Sequence, residues 1–253
     1  MIGLIGGTGT ESLIDNYPII REESINTQYG RAPIITIIEI DNKEVAYIPR
    51  HSHDHSVPPH KINYRANIEA LHSIGVNQVL ATNSVGSLDL NLEPGSIVIP
   101  DDFIDFTKNR VSTFFDEEVV HLDFTNPYCE NLRKILNKSG NTHPYGTYIA
   151  TEGPRFETGA EIQFFKQIGG KIVGMTGVPE VILAKEKQMC YSSICAVSNY
   201  GTSISDHKLT FKEVLDAMKE CETNLIELIT KTIENINPKH DCECHHLLND
   251  AIV

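Results

Sequence analysis

The chain has no tryptophan, and aromatic residues are only 7% of its 253 residues. Basic residues are also scarce, 21 against 34 acids, for a net charge of -13. Such a surface lacks the positive field that nucleic acids and anionic membranes require, so neither is expected as a partner. A small anion held in a local positive pocket stays open. No apolar run reaches the length of a membrane-spanning helix. The opening residues MIGLIGGTG carry no basic leader and no cleavage site, so a cytoplasmic protein is expected. Repeats and low-complexity linkers are missing too, which points to a single domain over residues 1–253 with a polar tail from about residue 238. The six cysteines lack the spacing of a small disulfide framework. Cys195, in an apolar run, reads as a buried thiol. The tail HDCECHH, residues 240–246, reads as a solvated end, with a Cys242–Cys244 disulfide or adventitious metal as the sharper alternative.

What is present is a series of strand-like runs: MIGLIG, PIITIIEI, KEVAYIP, QVLATN, SIVIPDDFI, GTYIATEG, KIVGMTG and YSSICAVSN. Several are almost continuously apolar, as in strands covered on both faces. Helical periodicity marks residues 62–74, 158–168, 178–187 and 211–235, and Asn237 with Pro238 ends the last of these. Residues 109–126 read as a long loop. The alternation predicts an α/β fold with a mixed or mostly parallel sheet and helices on both faces.

In such sheets ligands sit beyond the carboxyl ends of strands. Polar, glycine-bearing breaks follow the strand runs here. GGTG at 6–9 offers close backbone amides and the Thr8 hydroxyl to an anion, or is a plain tight turn. It is neither a Walker loop nor a complete dinucleotide fingerprint. PRHSHDH at 49–55 offers Arg50 and His51 as a phosphate clamp, arginine through its planar fork. A rival reading makes His51, His53, Asp54 and His55 a metal site, and a third makes them a solvated loop. TNSVGS at 82–87, EGPRFET at 152–158, GMTG at 174–177 and SNYG at 198–201 complete the set. Together they predict one shared pocket.

Taken in order, GGTG, RHSHDHSVPPHKINYRAN, TNSVGSL, EGPRFET, GMTGVPE and SNYG cover nearly the whole chain. In that order and spacing the sequence resembles the trimeric purine nucleoside phosphorylase and methylthioadenosine phosphorylase family. The resemblance implies a three-layer α/β/α sandwich with a mixed central sheet. It implies phosphorolysis of a purine nucleoside, with inorganic phosphate as co-substrate, no cofactor and no metal ligands. It implies a homotrimer or a dimer of trimers. Position by position, it implies phosphate binding by Thr8, Arg50, His51, Asn83, Ser84 and Thr176, with Met175 beneath the sugar. It places the base against Asn199, Tyr200, Gly201 and Glu157, of which Asn199 and Glu157 act in catalysis. His121 matches a histidine that methylthioadenosine phosphorylases offer to the neighbouring subunit's site.

Two departures narrow the substrate. Methylthioadenosine phosphorylases of this family resemble TDYD at the strand end, whereas this chain has SNYG, without either acid. A 6-oxopurine presents an acceptor at O6 and a donor at N1, which suit the Asn199 amide and the Glu157 carboxylate. The same pair would meet adenine donor to donor and acceptor to acceptor, at about 1–3 kcal/mol for each buried mismatch. Helix-terminal placement in the field of the dipole is the bland alternative for Glu157. At the sugar end, relatives acting on ordinary ribosides carry a histidine that meets the 5′-hydroxyl. His207 lies nearby, but the best-aligned positions are the apolar Phe211 and Val214, suited to a methylthio group. The expected substrate is S-methyl-5′-thioinosine, giving hypoxanthine and 5-methylthioribose 1-phosphate. The alternatives are inosine or guanosine, then methylthioadenosine. A metal-dependent hydrolase built on the histidine cluster and a nucleoside-binding regulator without activity are readings from other classes.

Overall fold

Isoleucine and valine crowd the apolar runs, and branched side chains suit a pleated surface better than a helix. In the computed structural model these runs become strands; residues 1–204, 210–249 and 251 are described. In chain order the elements are β1 (Ile2–Gly6), β2 (Ile19–Glu23), β3 (Asn26–Thr27), β4 (Gly30–Arg31), β5 (Ile35–Ile40), β6 (Lys43–Pro49), α1 (Tyr64–Ser73), β7 (Gln78–Ser87), β8 (Ile97–Val98), β9 (Asp102–Phe106), α2 (Glu130–Ser139), β10 (Thr147–Thr151), α3 (Gly159–Gln167), β11 (Gly170–Gly174), α4 (Gly177–Glu186), β12 (Cys190–Tyr200) and α5 (Phe211–Asn235).

Ten of the strands make one mixed sheet, in the order β2-β5-β6-β1-β7-β11-β10-β9, with β12 beside β7 and β8 beside β12. Strand β7 is its hub. Its first half runs parallel to β1, while Gly86 and Ser87 run antiparallel to β11. Strand β12 follows β7 in parallel along its length, with a register shift between Val197 and Asn199. The expected mixed sheet flanked by helices is what the chain forms.

Successive strand residues point to opposite faces, and both faces are dry. Ile5, Ala46 and Ile48 pack with Ile68 and Leu71 of α1 and Val181 and Ala184 of α4 on one side. Ile2, Leu4, Val45 and Tyr47 pack with Leu132 and Leu136 of α2 and Leu225, Ile229 and Ile233 of α5 on the other. Helix α3 lies against β11 through Ile162 and Phe165. Helix α3 carries a reciprocal cap, in which Thr158 accepts from the Glu161 amide and the Glu161 carboxylate accepts from the Thr158 amide. Among the described residues, no helix is long and apolar enough to cross a membrane.

Four local expectations need correction. The run SIVIPDDFI is not one strand; it breaks around Pro100, which has no amide to donate, into β8 and β9. Helix α2 was not expected, although Leu132 and Leu136 stand one turn apart and both are buried. Strand β2 and the β3–β4 pair were also not expected; their residues are mostly exposed and carry no apolar alternation. The tail is not a solvated end. Cys242 and Cys244 are half-buried against the α2–α5 side of the core, and Ala251 is buried.

Candidate active site

The strand ends converge on a cavity of about 300 Å3. Gly7 and Thr8 reach it from β1, Arg50 and His51 from β6, and Ser84, Val85 and Gly86 from β7. Met175 and Thr176 follow β11, Ser198, Asn199 and Gly201 come from β12, and Glu157 comes from the segment after β10. Val214 of α5 closes one wall.

Arg50 is 1% exposed. Its Nε and Nη2 each donate to the Glu180 carboxylate at 2.7 Å, and Nη1 donates to the Thr82 carbonyl at 2.6 Å. The planar fork expected to clamp an anion is therefore taken by Glu180. One N–H on each terminal nitrogen remains for a ligand. Burial opposes the charge on Arg50, but the Glu180 carboxylate, by its charge and its hydrogen bonds, outweighs burial and raises the guanidinium's pKa. Glu180 also accepts from the Tyr191 hydroxyl at 2.8 Å, and burial holds that phenol well above its usual range as a donor. A Cβ on Gly7 would come within 3.0 Å of Arg50 Nη1 and 2.7 Å of the Thr82 carbonyl oxygen, so the glycine loop lies directly against the guanidinium.

His51 has one tied nitrogen, with Nδ1 2.8 Å from the Val57 carbonyl. The carbonyl can only accept, so Nδ1 carries the hydrogen and Nε2 is the free polar atom. Burial lowers the His51 pKa, with Arg50 and His55 adding to the effect. Thr176 is the N-cap of α4. Its hydroxyl accepts from Asn83 Nδ2 at 2.8 Å, and Asn83 in turn accepts from Ser193. Asn83 is thus not a lining residue but orients one. The Thr176 and Gly177 amides both donate to the Tyr148 hydroxyl, at 3.3 and 3.2 Å.

At the other group of polar residues, Glu157 is 8% exposed and accepts from the Thr151 hydroxyl at 2.7 Å. Burial raises its pKa, against that hydrogen bond. Asn199 Oδ1 accepts from the Ser198 hydroxyl at 2.8 Å, and Nδ2 donates to the Tyr200 carbonyl at 2.8 Å. One Nδ2 hydrogen and one Oδ1 lone pair are left over. A Cβ on Gly86 would lie 3.2 Å from Nδ2, so a residue with a side chain would crowd the amide.

Several expected residues are not brought here. Tyr200 turns its hydroxyl to the Leu90 carbonyl, 3.3 Å away, and does not line the cavity. This follows from strand alternation, which sends Asn199 and Tyr200 to opposite faces. His121 is exposed, and its amide bonds the Ala251 carbonyl; it is not part of this chain's own cavity. His207 and the Phe211 side chain lie outside what is described. The metal reading of the histidine cluster also needs correction. His53, Asp54 and His55 are exposed, and among the described residues the side chains that come close enough to share an ion are four cysteines elsewhere. The sequence reading missed Glu180, Thr82, Tyr148 and Tyr191. All four sit in apolar or matched segments, and only the packed structure shows them facing the site residues.

A family model described as the phosphorylase superfamily matches residues 1–234. The chain is 50% identical over 253 residues to a protein of Methanothermobacter thermautotrophicus named probable S-methyl-5′-thioinosine phosphorylase, covering 100% of this chain and 90% of that one. It is 43% identical to the 6-oxopurine nucleoside phosphorylase of Pyrococcus furiosus, over 99% and 98% of the two chains. The methylthioadenosine phosphorylase of Schistosoma mansoni, solved with adenine, superposes with a TM-score of 0.93 at 29% identity, over 99% and 98% of the chains. The chain belongs to the phosphorylase superfamily.

Proposed function

We propose that the protein cleaves 6-oxopurine nucleosides with phosphate, and that S-methyl-5′-thioinosine is its preferred substrate. The observation that carries this reading is the presence of Asn199 and Glu157 in one cavity with Thr8, Arg50, His51 and Thr176. The first pair matches the edge of a 6-oxopurine, and the second set supplies a charge and hydroxyl donors for phosphate. The names of relatives at 43–50% identity favour the same base, although the similar solved structures at about 30% identity are methylthioadenosine phosphorylases. Loss of both acids from the SNYG stretch decides between them.

In the proposed reaction a phosphate oxygen attacks C1′ while the C1′–N9 bond breaks. The bonding electrons leave with the purine, and positive charge builds on the sugar. Stabilising both charges in a water-poor site is the main source of rate. Arg50, Thr8, Thr176 and the Ser84 backbone hold phosphate close to C1′. Neutral His51 offers Nε2 to a protonated phosphate oxygen. The free Asn199 hydrogen meets charge arriving at O6, its oxygen accepts from N7 once that nitrogen has taken a proton from solvent, and the Glu157 carboxylate accepts a hydrogen bond from N1–H. Met175 lies beneath the sugar, and Val214 faces its 5′ end. The assembly is a homotrimer or a dimer of trimers, in which the exposed His121 reaches a neighbour's site.

Phosphate-dependent base release from S-methyl-5′-thioinosine, inosine, guanosine and methylthioadenosine, measured side by side, tests both halves of the reading. Methylthioinosine should have the highest kcat/KM. Preference for methylthioadenosine would overturn the base assignment, and preference for inosine the sugar assignment.

A further inference from the structure

Far from the cavity, four thiols meet. Cys129 is the N-cap of α2, Cys190 opens β12, and Cys242 and Cys244 lie in the C-terminal segment. Their sulfurs all fall within 4.8 Å of one another. We propose that these four cysteines bind one divalent zinc-type ion, which fastens the C-terminal segment to the sheet.

The geometry points to a metal rather than to paired sulfurs. Four thiolates at ~2.3 Å from a tetrahedral ion stand about 3.8 Å apart. Cys129 Sγ and Cys242 Sγ are 3.8 Å apart, where a disulfide needs about 2.05 Å. Each thiol is brought there by structure. The Cys129 amide donates to the Tyr191 carbonyl at 2.8 Å, which sets the start of α2 against the start of β12. The Leu248 amide donates to Gln188 Oε1 at 3.4 Å, and the His245 amide to the Cys242 carbonyl at 2.9 Å, which fold the tail over the same spot. An all-sulfur tetrahedral set selects zinc or iron over the hard cations that prefer oxygen.

The surroundings match an ion with an outer shell. His245 Nε2 lies 3.5 Å from Cys190 Sγ, placed to donate to a metal-bound thiolate, and its Nδ1 lies 3.9 Å from the Asp241 carboxylate. Such outer contacts orient ligands in metal centres. On loading, the four S–H protons pass to solvent and no oxidant is consumed. The site stands at the opposite end of β12 from Asn199, roughly 30 Å away at ~3.3 Å per residue, so its role is to hold the tail.

The test starts with untagged protein purified under reducing, oxygen-free conditions. Elemental analysis should find about one zinc per chain, because four thiolates complete the coordination of a single tetrahedral zinc. Mercurial titration should release it in step with four thiols. Metal-free protein reloaded with cobalt(II) should show the visible absorption of a tetrahedral cobalt–thiolate centre. A Cys242→Ser, Cys244→Ser double variant should hold less than about a tenth of the metal, while Cys221→Ser, outside the cluster, should keep it. The wild-type measurements stand even if the double variant does not fold. Free alkylation of all four cysteines in metal-poor native protein would overturn the site, as would disulfides joining them in protein quenched at lysis. Stoichiometric iron would overturn the choice of zinc.

Discussion

The Arg50 guanidinium and the Glu180 carboxylate form a two-bond ion pair, both bonds 2.7 Å, with side chains only 1% and 0% exposed. The turn directly after strand β6 supplies one partner and helix α4 the other, 130 residues apart. The pair turns the remaining Arg50 hydrogens toward the glycine loop and the cavity.

Glu180→Gln should therefore hurt both stability and phosphate binding. Removing one partner of a buried pair leaves a charge uncompensated, at about 3–5 kcal/mol. Urea denaturation should show the loss, and the KM for phosphate should rise. An unchanged denaturation midpoint with an unchanged phosphate KM would contradict the role given to this pair.

Asn199→Asp should change base preference. The carboxylate can still accept from Ser198, but it loses the donor for O6 and faces the Tyr200 carbonyl oxygen. A buried mismatch of about 1–3 kcal/mol corresponds to a loss of about 5- to 150-fold in kcat/KM for 6-oxopurine substrates. Adenine nucleosides should gain relative to them. Equal losses on both bases in a competition assay would remove Asn199 from base reading.

Glu157 links the rate to pH. Its pKa lies above the ordinary 4.5 because it is buried. As pH falls through that raised value the carboxyl gains a proton and loses the charge that meets N1–H. The kcat/KM for a 6-oxopurine nucleoside should fall on the acid side, with a midpoint above 4.5. Glu157→Gln should lower the plateau and abolish that limb. A limb that survives in the variant belongs to another group, with His51 next in line.

Much of the site was legible because strand ends announce themselves. An apolar run that stops at glycine, asparagine or threonine marks the carboxyl edge of a buried sheet, and Thr8, Ser84, Thr176 and Asn199 stand at such stops, while Arg50 and His51 follow Pro49 at the end of β6. Tyr200 was misread for lack of a face. Alternation gives two sides to a strand, but a register shift resets which side is which, and β12 has one between Val197 and Asn199. Such a shift re-aims the side chains after it. Here Asn199 pairs opposite Gly86, the residue whose missing side chain leaves space for the amide.

The sequence by itself determined the mixed α/β class, four of the five helices, and most of the residues that line the candidate site. Local periodicity and residue chemistry carry that information within short windows. Only the tertiary structure decided which distant groups meet. Sheet order brought Glu180 to Arg50 and Asn83 to Thr176. Packing of the tail brought Cys242 and Cys244 to Cys129 and Cys190. Contacts across 50 to 130 residues depend on how strands cross over and which faces exclude water, and no short window of sequence holds that.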